Sequence, residues 1–575
     1  MSQDARTGSI ANDVPAIGRR TVLKGAALVM GAGAASPALA AAPAVASSPA
    51  LKGVGDSSVV ARADAAVAEI ESGKVAGAVF RGIYAFKGIP YGADTGGANR
   101  FQPAQKSSPW TGIRSSRQYG FICPQDKGTG RQNDEEAFMF QWNDSFEGED
   151  CLRINVWTPG LNDNKKRPVM VWLHGGGFAA GSGNDLPCFD GENLARRGDV
   201  VAVTLNHRLN LLGYMDLSNY GEKYAQSGNV GMLDIVTALQ WIRDNISVFG
   251  GDPNRVMIFG QSGGGAKVST LMGMPAAKGL FHRAVVQSGS FSLSTTPDLS
   301  QKLTGLVLAE LGLNASTIDK LHGLPYIDIR RASEAVMARV NPRMDIALSI
   351  TKMAQFLNFE PVLDGKAIPA NPFGDQASAL SADVPMIIGT TLNEFTNGIN
   401  HPEFELMTEA DLRAKAEEFY PGKAKKVIAA FRQRTPNDKP ADLFSRLATA
   451  PVRRAAVKQA ISKAALNLAP AYLYWFQWKT PIFDGRPRAF HCAELPFVFF
   501  NTDRMENMTG GGPVPMALAE KMADTWVQFA RTGDPNHAGI PAWQKFSPMT
   551  VPTMIWDNKV EVVPNPDGRE LKSIA

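Results

Sequence analysis

Cysteine and histidine are the scarce residues of this chain. Four cysteines (Cys123, Cys151, Cys188 and Cys492) and seven histidines are spread over 575 residues. No two cysteines stand in C-x-x-C spacing, which is unlike a zinc site or a dithiol redox motif. Neither sign of charge dominates: 59 basic and 55 acidic residues leave a net +4. That balance gives no electrostatic footprint for nucleic acid or for an acidic surface. Beyond the N-terminal region no run of about 20 apolar residues occurs, so no membrane-crossing helix is expected. Heptad runs and short internal repeats are missing as well. What is present, with 44% hydrophobic residues, is a chain long enough to bury a large core.

The first 46 residues stand apart. "GRRTVLKGAALVMGAGAASPALAAAPAVA" carries twin arginines, Arg19 and Arg20, then Leu23-Lys24 and an uncharged Ala/Gly-rich stretch. It resembles a twin-arginine export signal, with valine where phenylalanine is commoner, and cleavage is expected after Ala40 or Ala46. The alternative is a basic tail on a cytosolic protein. Export would deliver a folded protein to the periplasm or the exterior, with no stable membrane insertion after cleavage. In that compartment Cys123 ("FICPQD") and Cys151 ("GEDCLRINVW") are candidates for one bridge, against two buried free thiols. Cys188 and Cys492 have no obvious partner. Residues 47–58 read as a small-residue linker, and 59–575 as one domain.

Along that domain short apolar strands alternate with helical patterns. Strands are expected at Val169–Leu173, Val200–Leu205, Val256–Phe259, Arg283–Gln287, Met386–Gly389 and Tyr472–Trp478. Helices are expected over Gly231–Ile246, Ala266–Met272 and Ala517–Arg531. This order predicts an α/β fold with a mostly parallel central sheet covered by helices on both faces. The segment from about 300 to 380 reads as a helical insertion able to shape a pocket.

One stretch carries chemistry. "VMIFGQSGGGAKVST" sets Ser262 in G-x-S-x-G between a strand and a helix. A serine on such a turn is lifted into a cleft, with the next N–H at a helix start. Alone the pattern is weak in a chain with 55 glycines. A phosphate loop is the other reading, but no Lys-Ser/Thr follows in Walker spacing. A second feature supports the serine. "VWLHGGGFAAGSG" places His174-Gly175-Gly176-Gly177 after a buried strand, where backbone N–H groups can meet an oxyanion.

A nucleophilic serine needs a base, and a group to orient that base. In the order serine, acid, histidine, only His401, His491 and His537 leave room for an intervening acid. His491, on a loop after an aromatic strand, has the best setting. His174 and His207 read as structural. For the acid, Glu394 follows an apolar strand, with Asp383 and Asp364 as competitors. The residues alone leave that choice open.

These motifs, with "YAFKGIPYG", "EDCLRINVW", "LNHRLNLLGY", "GLFHRAVVQSGS", "FEPVLDG", "IIGTTLNEF", "FHCAELPFVF" and "FARTGDPN", run from about 67 to 560. In this order they resemble the type-B carboxylesterase family, which contains cholinesterases and bacterial para-nitrobenzyl esterases. The resemblance implies an α/β-hydrolase fold, with Ser262 as nucleophile, Glu394 as acid and His491 as base. It implies an oxyanion hole from the N–H groups of Gly176, Gly177 and Gly263, and a Cys123–Cys151 disulfide. The expected activity is hydrolysis of small-molecule carboxylic esters through an acyl-enzyme, with no cofactor or metal. An amidase or transacylase on the same residues, or a non-catalytic binding protein of the same fold, are the alternatives. Two departures stand out. The family usually has Glu before the serine and Ala after it, where this chain has Gln261 and Gly263. A neutral Gln261 makes a preference for cationic substrates less expected. The family's Asn-Tyr-Arg is also Asn206-His207-Arg208 here.

Overall fold

The apolar runs become strands buried on both faces. In the computed structural model, which describes residues 58–125, 133–143, 145–290, 294–341, 357–374 and 376–575, twelve strands form the main sheet. They are β1 (Val59–Val60), β2 (Ala78–Phe80), β3 (Ile83–Pro90), β4 (Arg153–Thr158), β5 (Arg167–Leu173) and β6 (Val201–Leu205). Then come β7 (Gly251–Gln261), β8 (Arg283–Gln287), β9 (Met386–Thr391), β10 (Ala471–Phe476), β11 (Pro552–Trp556) and β12 (Glu561–Pro564). The sheet order is β1-β2-β3-β4-β6-β5-β7-β8-β9-β10-β11-β12. All neighbours from β6 across to β11 are parallel. The strands at the two edges pair antiparallel. The export segment expected over 1–46, and linker residues 47–57, lie outside the described residues.

Alternation along each strand sorts side chains into two cores. On β5, Val169, Val171 and Leu173 join one core, while Met170 and Trp172 join the other. On β7, Val256 and Ile258 separate from Met257 and Phe259 in the same way. Six of the helices cover these cores: α1 (Val230–Asn245), α2 (Gly263–Leu271), α3 (Pro297–Glu310), α4 (Tyr326–Val340), α5 (Pro440–Ala465) and α6 (Pro513–Thr532). Ile235, Leu239 and Ile242 of α1 and Val268 of α2 fill the first core, with Ala456 and Ala460 of α5. Leu518, Met522 and Trp526 of α6 fill the second. Each large apolar side chain so buried contributes about 1.5–3 kcal/mol. The insertion expected near 300–380 holds α3 and α4, packed on the first core through Leu303, Val307, Ile329 and Val336; residues 342–356 of it lie outside the described residues.

The segment after β6 is fastened to α1 by a buried ion pair. The Arg208 guanidinium donates to Asp234 Oδ2 at 2.8 Å and to Oδ1 at 2.6 Å, and the Arg208 backbone N–H adds a bond of 3.0 Å. Both side chains are almost wholly excluded from solvent. Because β5, β7, β9 and β10 run parallel, their carboxyl ends open on one edge of the sheet. Open α/β sheets place their chemistry at such an edge.

Candidate active site

Ser262 follows β7 at once and caps α2, with φ +57° and ψ −125°. An L-residue holds this conformation only when its surroundings impose it. The Ser262 N–H donates to Gln287 O of β8 at 2.8 Å, and Ser262 O accepts from Ala266 N at 3.0 Å. Close packing explains the flanking glycines. A Cβ on Gly260 would lie 2.5 Å from the Gly264 carbonyl, and one on Gly264 would lie 2.0 Å from Leu173 O.

The glycine loop after β5 rests directly on this turn. Gly176 and Gly177 have φ of +79° and +62°, a region that favours glycine. A Cβ on Gly263 would lie 2.3 Å from Gly177 O and 2.5 Å from Gly177 N. Gly263, where the family usually has alanine, is therefore matched to the position of this loop. His174 is turned away into the fold. It is buried, its Nδ1 lies 3.0 Å from Gly175 O, and its ring stacks on His207 at 4.9 Å. Burial, helped by the nearby Lys267, holds both imidazoles well below their ordinary pKa.

Glu394 lies just beyond β9 and is fully buried. Its Oε2 accepts from His491 Nδ1 at 2.5 Å, and its Oε1 accepts from Thr391 N at 2.9 Å. The His491 backbone N–H donates to Glu394 O at 2.8 Å, so main chain and side chain fix the same pairing. The Phe395 ring packs on the imidazole at 4.0 Å. With Nδ1–H committed to the carboxylate, Nε2 is left as the acceptor.

That acceptor is approached by a residue whose contact with the imidazole the sequence does not announce. Gln261 Nε2 lies 3.0 Å from His491 Nε2 and 3.2 Å from Nδ1. The Cys492 thiol, at φ +78°, donates to Gln261 Oε1 at 3.2 Å and fixes which way the amide points. Among the described residues no hydrogen bond yet joins Ser262 Oγ to His491; catalytic hydrogen bonds often tighten only with substrate in place. Three residues beyond His491, Glu494 is fully buried and accepts from Gln287 Nε2 at 3.2 Å. Burial first, and the Glu394 carboxylate second, push its acid up to about 8.

The other candidates lie elsewhere. Asp383 pairs with Lys278 at 2.8 Å on the surface. Asp364 accepts from the backbone N–H groups of Lys366 and Ile368 in a turn. His401 is exposed against Glu403, and His537 Nε2 meets Thr525 Oγ1. The expected Cys123–Cys151 bridge is not formed in this structure, where both are free, buried thiols. They are neighbours; the Cys123 thiol donates to Pro124 O at 3.6 Å and accepts from Leu209 N at 3.3 Å. Cys188 is likewise a buried free thiol.

The carboxylesterase family pattern matches residues 64–571. The chain is 34% identical to para-nitrobenzyl esterase of Bacillus subtilis over 87% of its own length and 97% of the relative's. It is 32% identical to phenmedipham hydrolase of Pseudarthrobacter oxydans over 84% and 92% of the two chains. Among solved structures, an esterase of the anaerobe Clostridium hathewayi that can hydrolyse aliphatic aromatic polyesters superposes with a TM-score of 0.73. It is 35% identical, covering 88% of this chain and 97% of that one. A Geobacillus stearothermophilus carboxylesterase gives 0.72 at 32% identity, covering 88% and 100%. An α/β sheet with a strained serine at its carboxyl edge, and these likenesses over most of the chain, make this protein a member of the carboxylesterase family and a carboxylic-ester hydrolase.

Proposed function

We propose that Ser262, His491 and Glu394 are the catalytic triad of this ester hydrolase, with Gly176, Gly177 and Gly263 N–H groups as its oxyanion hole. The observation that carries this reading is the 2.5 Å pairing of His491 with buried Glu394, with the same imidazole 3.0 Å from Gln261, the residue before a serine at φ +57°. In the acylation step Ser262 Oγ attacks the ester carbonyl while His491 Nε2 takes its proton, displacing the Gln261 amide from that nitrogen. Glu394 stabilises the imidazolium. The carbonyl electrons move to oxygen, where backbone N–H groups receive them. The alcohol leaves with the proton from His491, and water repeats the sequence on the acyl-enzyme. Small aryl and alkyl esters are the substrate class, in keeping with what the relatives' names say of those proteins.

We further infer that Arg19 and Arg20 direct export, and that Cys123 and Cys151, already neighbours, can form a bridge by losing two protons and two electrons to a thiol oxidant of the receiving compartment. Peptide mapping without reductant tests the bridge. The activity is tested with p-nitrophenyl acetate, butyrate and octanoate. Wild type is expected to turn over the shorter esters, and Ser262→Ala to fall to background. A fluorophosphonate should label Ser262 stoichiometrically. A folded wild type that neither hydrolyses nor labels would overturn the assignment.

A further inference from the structure

A fully buried lysine stands one turn beyond the nucleophile. Lys267 lies on α2 with no exposed surface, amid Ala266, Val268 and Leu271. Among the described residues no carboxylate pairs with it, and burial alone brings its ammonium down to about 7. A buried cation without a counter-charge costs stability, so its retention calls for a role. Its side-chain hydrogen bond is specific among the described residues: Nζ donates to His174 O at 2.9 Å. The Phe178 ring lies 5.5 Å from the same nitrogen. His174 and Phe178 bracket Gly175–Gly177, so this one ammonium touches both ends of the glycine loop.

We infer that Lys267 is a positioning residue for the oxyanion loop. A trans peptide is planar, with its C=O and N–H opposed. Holding His174 O toward α2 therefore fixes the plane of the first peptide of the loop and the direction of Gly175 N–H. The loop needs such a hold, because Gly176 and Gly177 have positive φ and no side chains to pack. The seam is close elsewhere too: a Cβ on Gly264 would lie 2.0 Å from Leu173 O and 2.9 Å from His174 O, and one on Gly263 would lie 2.3 Å from Gly177 O. Lys267 adds the only side-chain hydrogen bond among these. The hold survives titration, since a neutral amine keeps N–H groups for His174 O. The other titratable groups facing this point are His174 and His207, both kept neutral by burial.

This inference rests on the esterase reading above, and wild type and Ser262→Ala are assayed alongside to separate the two. Lys267→Met keeps the volume and removes the donor. With p-nitrophenyl butyrate its kcat is expected to fall about 10- to 100-fold, less than the about 100- to 1,000-fold of a deleted oxyanion donor because the donors stay present. KM should stay within about threefold, marking a loss confined to the transition state. Binding of an aryl trifluoromethyl ketone, which adds to the serine and forms an oxyanion, should weaken by the same factor as kcat/KM. A purely structural lysine would lower the melting point and the active fraction without that parallel. A folded Lys267→Met with wild-type kcat and ketone affinity overturns the inference. If Lys267→Met does not fold, Lys267→Gln, whose shorter neutral amide weakens the bond, is read by the same two constants. Failure of both to fold also counts against it, as the mark of a lysine needed only for folding. An inert wild type instead overturns the esterase reading.

Discussion

At the scale of single residues the site is governed by a few contacts with little slack. Gly263 is the sharpest case. A Cβ there would lie 2.3 Å from Gly177 O, so an added methyl group has to displace the glycine loop. Gly263→Ala is expected to lower kcat by about tenfold or more, since misaligned oxyanion donors cost on the order of 2–4 kcal/mol of barrier. Steady-state kinetics on p-nitrophenyl butyrate check this, and an unchanged kcat would show that the loop yields freely. Glu494 gives a second prediction, read as stability. Its carboxyl is held protonated up to about 8 in the folded protein, whereas an ordinary carboxyl ionises near 4.3. Between those values the folded state holds a proton that the unfolded state releases. The resulting stabilisation is complete below the ordinary pKa and is lost as pH rises through about 8. Glu494→Gln should therefore gain on wild type in melting temperature as pH rises from about 5 to 9. A gap that does not change with pH would mean that Glu494 titrates like an exposed acid.

At the scale of elements, the ladder of parallel strands holds loops whose own packing is modest. The Arg208–Asp234 pair fastens the loop after β6 to α1 with three hydrogen bonds in the interior. Asp234→Ala would leave the guanidinium buried without its partner, and is expected to destabilise by about 3–5 kcal/mol. Urea unfolding of the two proteins measures it, and a loss below about 1 kcal/mol, typical of a surface pair, would contradict it. The elements themselves are legible in the sequence where burial is two-sided. Val169–Leu173 and Met386–Gly389 read as strands because every residue is apolar or small, and they fall within β5 and β9. The antiparallel edges are not legible, because β1 and β12 are short and partly exposed and carry no periodic signal. The site divides in the same way. Ser262 and the glycine loop announce themselves locally, through turn chemistry. The acid stays open among Glu394, Asp383 and Asp364 because its partner lies 97 positions along the chain. Lys267 escapes a linear reading for the same reason: its contact with His174 spans 93 positions. Its only local trace is a charge set within a run of small and apolar residues.

At the scale of the whole molecule, residues Ala50–Ala575 form one compact unit, and no described helix is long and apolar enough to cross a membrane. Every residue proposed for the chemistry lies in that unit. Removing residues 1–46 is expected to leave kcat/KM within about twofold, because every residue proposed for the site lies beyond that segment. Replacing both Arg19 and Arg20 by lysine should hold the protein inside the cell, as fractionation and an activity stain would show. Activity outside the cell with the lysine pair in place would refute twin-arginine export.

The contact between Gly263 and Gly177 also bears on how this sequence can change. The two positions compete for one small volume, so their substitutions are epistatic. A mutational path toward alanine at 263 must first pass through a rearranged loop. A saturation library at 263 in the present background should therefore return glycine among its active clones, whatever the other residues would tolerate elsewhere. Order of mutation, as much as its content, decides which relatives are reachable from this chain.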